Sequence, residues 1–169
     1  MTGETYSIFV GTLGLSVAGL VALSLSASRA GITADFVNSI RWMSGLTLGA
    51  QLLHFSEEYL HRFYVRFPEL LGLTVWSDTF FVIFNLTWLV IWAVAIVGLR
   101  KLPRVAAIPL WFLAIASAVN GVAHPIMSVA VAGYFPGLWS SLIVGILGFI
   151  LLHRLFLATS TRVGIHGGT

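Results

Sequence analysis

The chain has no cysteine, which removes disulfides, thiolate metal sites and cysteine nucleophiles together. It is also short of charge. Only 9% of its 169 residues are Asp, Glu, Lys or Arg, while 58% are hydrophobic and the mean hydropathy is +0.97. A soluble domain carries about 25% charged residues, so a water-facing surface cannot be covered with this composition. Lys101 is the only lysine and falls in a connecting stretch, which leaves no seat for a retinal-type Schiff base. Five histidines are too few for the membrane di-iron oxidases that use eight. Ser56 has no G-x-S-x-G elbow around it, so a serine hydrolase lacks its nucleophile turn. No basic run points to nucleic acid. The residues ahead of the first apolar run (5–28) carry no positive charge, and that run is too long for a signal-peptide core; it reads as a retained span.

Long apolar runs dominate what is there. A span needs roughly 20 apolar residues, and five stretches fit: 7–27, 38–60, 77–99, 105–124 and 136–157. The expected fold is all-α, a single polytopic membrane bundle of about five helices covering 1–169. The third span is closed by Arg100, Lys101, Pro103 and Arg104. Pro125 ends or kinks the fourth, unless 105–131 is one kinked helix, and Pro136 suits the first turn of the fifth. Gly11, Gly14 and Gly19 give the first span small faces for close packing, within the bundle or between copies. With five spans, Arg29, Arg41, Arg100, Lys101, Arg104, Arg154 and Arg162 fall on one side and only Arg62 and Arg66 on the other. That asymmetry predicts a cytoplasmic C-terminus and an external N-terminus. The connection 61–76 mixes Phe63, Tyr64, Phe67, Leu70, Leu71 and Trp76 with Arg62, Arg66 and Glu69. It suits an interfacial segment, either a lid over the end of the second span or a connector with aromatic anchors.

The chemistry concentrates in Gln51-Leu-Leu-His54-Phe-Ser-Glu57-Glu58-Tyr-Leu-His61. At about 100° per residue, Glu57, Glu58 and His61 lie near −60°, +40° and −20° from His54. All four fall within about a 100° arc, and Thr47 and Gln51 continue the stripe. An acid at the centre of a membrane helix costs roughly 2.5–3.5 kcal/mol on insertion scales, so two adjacent acids flanked by histidines require partners or a metal. Imidazole and carboxylate ligate Zn, Fe and Mn, and i,i+3 and i,i+4 are the spacings that helical metal sites use. Asn85 in the third span, Asn120 and His124 in the fourth, and Tyr134, Pro136 and Gly137 before the fifth all fall, on this topology, in the same outer leaflet. Asn85 reads equally as interhelical glue, Asp78 with Ser77 as a helix cap, and His61 as a residue facing headgroups. His153 and His166 fall on the opposite side. Trp88, Trp92, Trp111 and Trp139 read as core or membrane-facing.

His54-Phe-Ser-Glu57-Glu58, with Asn120-Gly-Val-Ala-His124 and Tyr134-Phe-Pro136-Gly137, resembles the HXXEE family of small bacterial membrane proteins, from the second span to the fifth. The resemblance implies a protein integral to the bacterial cytoplasmic membrane and supports these residues as its site.

The leading expectation is a membrane-embedded metalloenzyme. Its metal ligands come from His54, Glu57, Glu58, His61 and His124, and its catalytic candidates are Glu57, Glu58, Asn85, Asn120 and Tyr134. One divalent ion (Zn, Fe or Mn) fits this donor count better than two. A lipid-like or isoprenoid substrate would enter between apolar helices. A metal-free isomerase or hydratase using Glu57 and Glu58 as acid and base is the second reading. A non-enzymatic ligand-binding or accessory subunit is the third. A proton path is disfavoured because the ionisable residues crowd into one leaflet.

Overall fold

The computed structural model describes residues 2–159, which form seven helices and no strand. They are α1 (Gly3–Gly11), α2 (Leu13–Ser28), α3 (Ala34–Leu60), α4 (Phe63–Leu70), α5 (Asp78–Gly98), α6 (Pro103–Ala130) and α7 (Leu138–Ala158). Arg162 and His166 lie outside the described residues.

Three helices, α5, α6 and α7, are long and apolar enough to cross a membrane. Their 21, 28 and 21 residues reach about 31, 42 and 31 Å at 1.5 Å per residue, against a hydrocarbon core of about 30 Å. The first expected span is broken. α1 and α2 pass the same test only as a pair and are bent by 45° at Thr12, so the count is three, or four with that pair. α3 has the length, 27 residues, but Asp35, Arg41, Gln51, His54, Glu57 and Glu58 make it too polar to qualify. The five expected spans thus exceed the apolar criterion at α3, the helix that carries the site.

The break at Thr12 goes with tertiary contacts between α1 and the loop before α5. Ser7 donates to the Thr74 carbonyl at 2.6 Å and accepts from the Trp76 indole at 3.0 Å. The Ser77 amide donates to Glu4 at 2.7 Å. A Cβ on Gly11 would lie 2.3 Å from the Trp76 ring, so only glycine lets α1 lean this closely on the loop before α5. α2 then turns to run against α6.

α6 is the central helix, packed against α2, α3, α5 and α7. It runs unbroken through Pro109 and Pro125, so the fused alternative for the fourth span holds; neighbouring helices compensate for internal prolines in such bundles. Its closest crossing is with α7. A Cβ on Gly121 would lie 2.5 Å from the Gly145 Cα, and one on Gly148 would lie 2.5 Å from the Ala118 amide. The small-residue seam expected of the first span is found here instead. Gly14 and Gly19 have nothing within 4 Å of a built Cβ. α7 starts at Leu138, two residues after Pro136, with Gly137 as its cap at φ +87°, so Pro136 is not in the first turn as the sequence suggests.

Four arginines gather at one end. Arg29 donates to the Phe156 and Thr159 carbonyls at the C-terminus of α7, where the helix dipole favours a cation. Arg41 donates to the Ile96 carbonyl, Arg100 to Asn38 and Arg154 to Ser39. The C-terminal end of α3, with its acids and histidines, is the opposite end of the bundle.

Candidate metal centre

Two helices supply the donors. On α3, His54 and Glu58 are four residues apart and project from one face. On α6, His124 faces them. All three side chains are buried. Both imidazole Nε2 atoms approach the same carboxylate oxygen: Glu58 Oε1 is 3.5 Å from His54 and 3.4 Å from His124. The two rings meet edge to face with centroids 4.6 Å apart, and no two of the three donor atoms are more than 4.8 Å apart. These separations exceed the 2.7–3.2 Å of an N–H···O hydrogen bond. The two Nε2–Oε1 separations are close to the edge of a tetrahedron with bonds of about 2.0–2.1 Å, which is about 3.3–3.4 Å. The group could hold one metal ion.

The hydrogen bonds behind the rings fix where the protons sit. His124 Nδ1 lies 2.7 Å from the Pro136 carbonyl, which can only accept, so Nδ1 carries the hydrogen. His54 Nδ1 lies 2.9 Å from the Ser140 hydroxyl. That hydroxyl donates to Glu57 Oε2, so it accepts from His54. In its neutral form each imidazole then presents an Nε2 lone pair toward a carboxylate oxygen, and His54 Nε2 has no hydrogen-bond partner. Three acceptors converging in a buried space call for a cation. Ring orientation through an Nδ1–H held by a carbonyl or carboxylate is the arrangement that metal-bound histidines use.

Glu57 faces elsewhere. The helical arc places it about 100° from Glu58, and the N-terminus of α7 takes it up. Its carboxylate accepts from the Tyr134 hydroxyl at 2.7 Å, the Trp139 amide at 3.2 Å, the Ser140 amide at 2.8 Å and the Ser140 hydroxyl. The amides of a helix start lack internal partners, and the dipole there favours an anion. Glu57 thus caps α7 from another helix and, through Ser140, orients His54. Tyr134 sits in the loop before α7; its phenol pKa is raised by partial burial and by the hydrogen bond to Glu57, so it remains a donor. His61 is exposed, with Nδ1 bonded to its own helix at the Glu57 carbonyl and its ring against Tyr134. It is not one of the three converging residues.

Gly137 closes the centre from the α7 side. A Cβ there would lie 2.6 Å from His124 and 2.8 Å from His54, so the backbone packs directly on both rings. On the other side Phe63 of α4 lies 5.5 Å from the His124 ring. The segment 61–76, expected as an interfacial lid or connector, is helix α4 and its following loop. Its Phe63, Phe67 and Trp76 roof this end of a cavity of about 350 Å³.

Glu58 and His124 line that cavity, as do Asn85 and Asn120. Asn85 donates to the Phe81 carbonyl of its own helix at 2.9 Å. Asp78 bonds only to Thr79, while Ser77 caps α5. Trp88 and Trp92 also line the cavity, Trp111 is buried and Trp139 is exposed. Ser140 is the participant that residue type did not expose, and Pro136, singled out in the sequence, takes part through its carbonyl. The only signal for Ser140 was a Ser-Ser pair opening an apolar helix, which is common at caps.

No protein-family profile matches the chain, and neither curated proteins nor solved structures give a match.

Proposed function

We propose that the protein is an integral membrane metalloenzyme that binds one divalent transition ion between His54, Glu58 and His124 and acts on a lipid-like or isoprenoid substrate. The observation that carries this reading is the convergence of two buried imidazole Nε2 atoms on one carboxylate oxygen, at 3.5 and 3.4 Å. Three protein ligands leave a fourth position, the pattern of catalytic rather than structural zinc. Glu58 and His124 line the cavity whereas His54 does not, so the open side faces the cavity. An ion there would lower the pKa of a bound water or polarise a substrate oxygen. Asn85 and Asn120 are uncharged polar groups on the cavity wall and are assigned to orient a substrate. Glu57, Ser140 and Tyr134 are assigned to positioning.

Zinc, iron and manganese all accept this donor set, and three donors fit one ion. The metal-free reading needs Glu57 and Glu58 as an acid–base pair, and it is weakened because Glu57 is taken up by Tyr134 and the N-terminus of α7 and does not line the cavity. The finer topology belongs to the same proposal. α3 crosses with the α1–α2 pair and the three apolar helices, placing the centre in the outer leaflet of the bacterial cytoplasmic membrane, N-terminus outside and C-terminus inside. The arginines gathered at the far end support it. Membership of the HXXEE family is proposed on the motif alone.

Elemental analysis of protein purified in detergent tests the proposal. One equivalent of Zn, Fe or Mn per chain is expected, with none in Glu58→Gln; a wild-type protein free of all three refutes it.

A further inference from the structure

The cavity is long for its volume. Its wall includes His124 at one end and Phe112 at the other, twelve residues apart on α6 and so about 18 Å along the axis. At about 350 Å³ it sits at the low end of the 300–1,000 Å³ typical of ligand sites, too small to enclose a two-tailed lipid. Its lining is rich in aromatic rings, with Phe80, Phe84 and Trp88 of α5 on the wall beside Trp92.

One buried donor along it is unmatched. Trp92 is 4% exposed and its indole N–H has no partner. A buried donor is ordinarily paired, and of the two unpartnered indoles, Trp92 and Trp111, Trp92 is the one on the cavity wall, where an acceptor on the occupant would match it.

The way in is sideways. α2 and α5 both pack on α6 but make at most a marginal contact with each other. Gly14 of α2 lines the cavity and has nothing within 4 Å of a built Cβ.

We infer that this cavity binds a single-chain lipid. The ligand is an acyl or prenyl chain with an oxygen-bearing head and a further hydrogen-bond acceptor in the far half of its chain. It enters between α2 and α5, its head lies at the His54–Glu58–His124 end, and its far acceptor meets the Trp92 N–H. The inference rests on the metal reading only for what the head meets.

The test uses full-length protein in nanodiscs and parinaric acid, a fluorescent straight-chain fatty acid excited by energy transfer from tryptophan. Wild type should show a saturable signal that an unlabelled fatty acid or a prenyl alcohol displaces; the more effective competitor identifies the chain. A fatty acid with a keto group near its far end should compete about tenfold better than the plain chain, and Trp92→Phe should erase that advantage while leaving the signal. Gly14→Phe, which fills the open space, should abolish the signal and keep the metal content of wild type. Glu58→Gln should lose metal and keep the signal, whereas a wild type that binds the chain but carries no metal would refute the proposed function and leave this inference standing. A metal-loaded wild type with no saturable signal, or a Gly14→Phe protein that binds like wild type, overturns it.

Discussion

Replacing Gly137 by alanine attacks the centre without touching a ligand. The residue sits at φ +87°, where an L-residue costs about 1–2 kcal/mol. The new methyl would lie 2.6 Å from His124 Cε1, 2.7 Å from His124 Nδ1 and 2.8 Å from His54 Cε1. Favourable carbon contacts lie near 3.5–4.0 Å, so relief requires about 0.7–1 Å of movement. Neither ring is free to give. His124 is tied through Nδ1 to the Pro136 carbonyl, one residue before the substitution, and His54 is tied to Ser140, three residues after it. Misplacing oriented histidines typically costs 10–100-fold in metal affinity, about 1.4–2.7 kcal/mol. Gly137→Ala should therefore bind zinc at least tenfold more weakly in a competition titration against a chromophoric chelator. It should also lose about 1–2 kcal/mol of stability to the backbone strain, read as a lower midpoint of thermal unfolding in detergent. Gly133→Ala in the same loop, where a Cβ meets nothing closer than 3.8 Å, is the control. If Gly137→Ala titrates within twofold of wild type, the packing of the backbone on both rings does not matter and the reasoning is wrong.

Other substitutions separate the neighbouring roles. Ser140→Ala removes the acceptor for His54 Nδ1–H, and a 10–100-fold loss of metal affinity is expected; Ser140→Thr, which keeps the hydroxyl, should restore most of it, and a Thr variant as weak as Ala would argue against the relay. Glu57→Gln weakens the cap on α7 and should lower stability by about 1–2 kcal/mol, yet it should keep one metal per chain; complete loss of metal, as expected for Glu58→Gln, would make Glu57 a ligand after all. Gly121→Leu forces α6 off α7 at a point where even a Cβ comes within 2.5 Å of Gly145. Overpacking of this kind costs about 1–3 kcal/mol or more, and an unchanged unfolding midpoint would contradict the close crossing.

The parts of this fold that were legible in the sequence are those written as local periodicity. α5 and α7 fall within two residues of the expected spans, and the α3 C-terminus coincides with its expected end, because apolar run length and caps are local signals. His54 and Glu58 share a face by spacing alone, and His124 was placed beside them by depth. What lay beyond reach depends on the partner helix. Glu57 and Glu58 are equivalent as sequence, and only the position of the α7 N-terminus sends one to the helix dipole and the other to the imidazoles. The break at Thr12 is invisible in an apolar run because its cause, the Trp76 loop, is more than sixty residues away. The glycines of the first span looked like a packing seam, but the seam formed at Gly121, Gly145 and Gly148, whose register is set by the α6–α7 crossing. Pro125 left open whether the helix ends there or runs on through 105–131, and it is an internal residue of α6, since packing on several neighbours outweighs one lost hydrogen bond.

X-ray absorption at the edge of the metal found in the purified protein tests the ligand set most directly. The expected shell has two imidazole nitrogens at about 2.0–2.1 Å and carboxylate oxygen at about 2.0–2.2 Å for zinc, with the imidazole signal halved in His124→Ala. A shell of oxygen alone, or an imidazole signal unchanged in His124→Ala, would contradict a centre built by His54, Glu58 and His124.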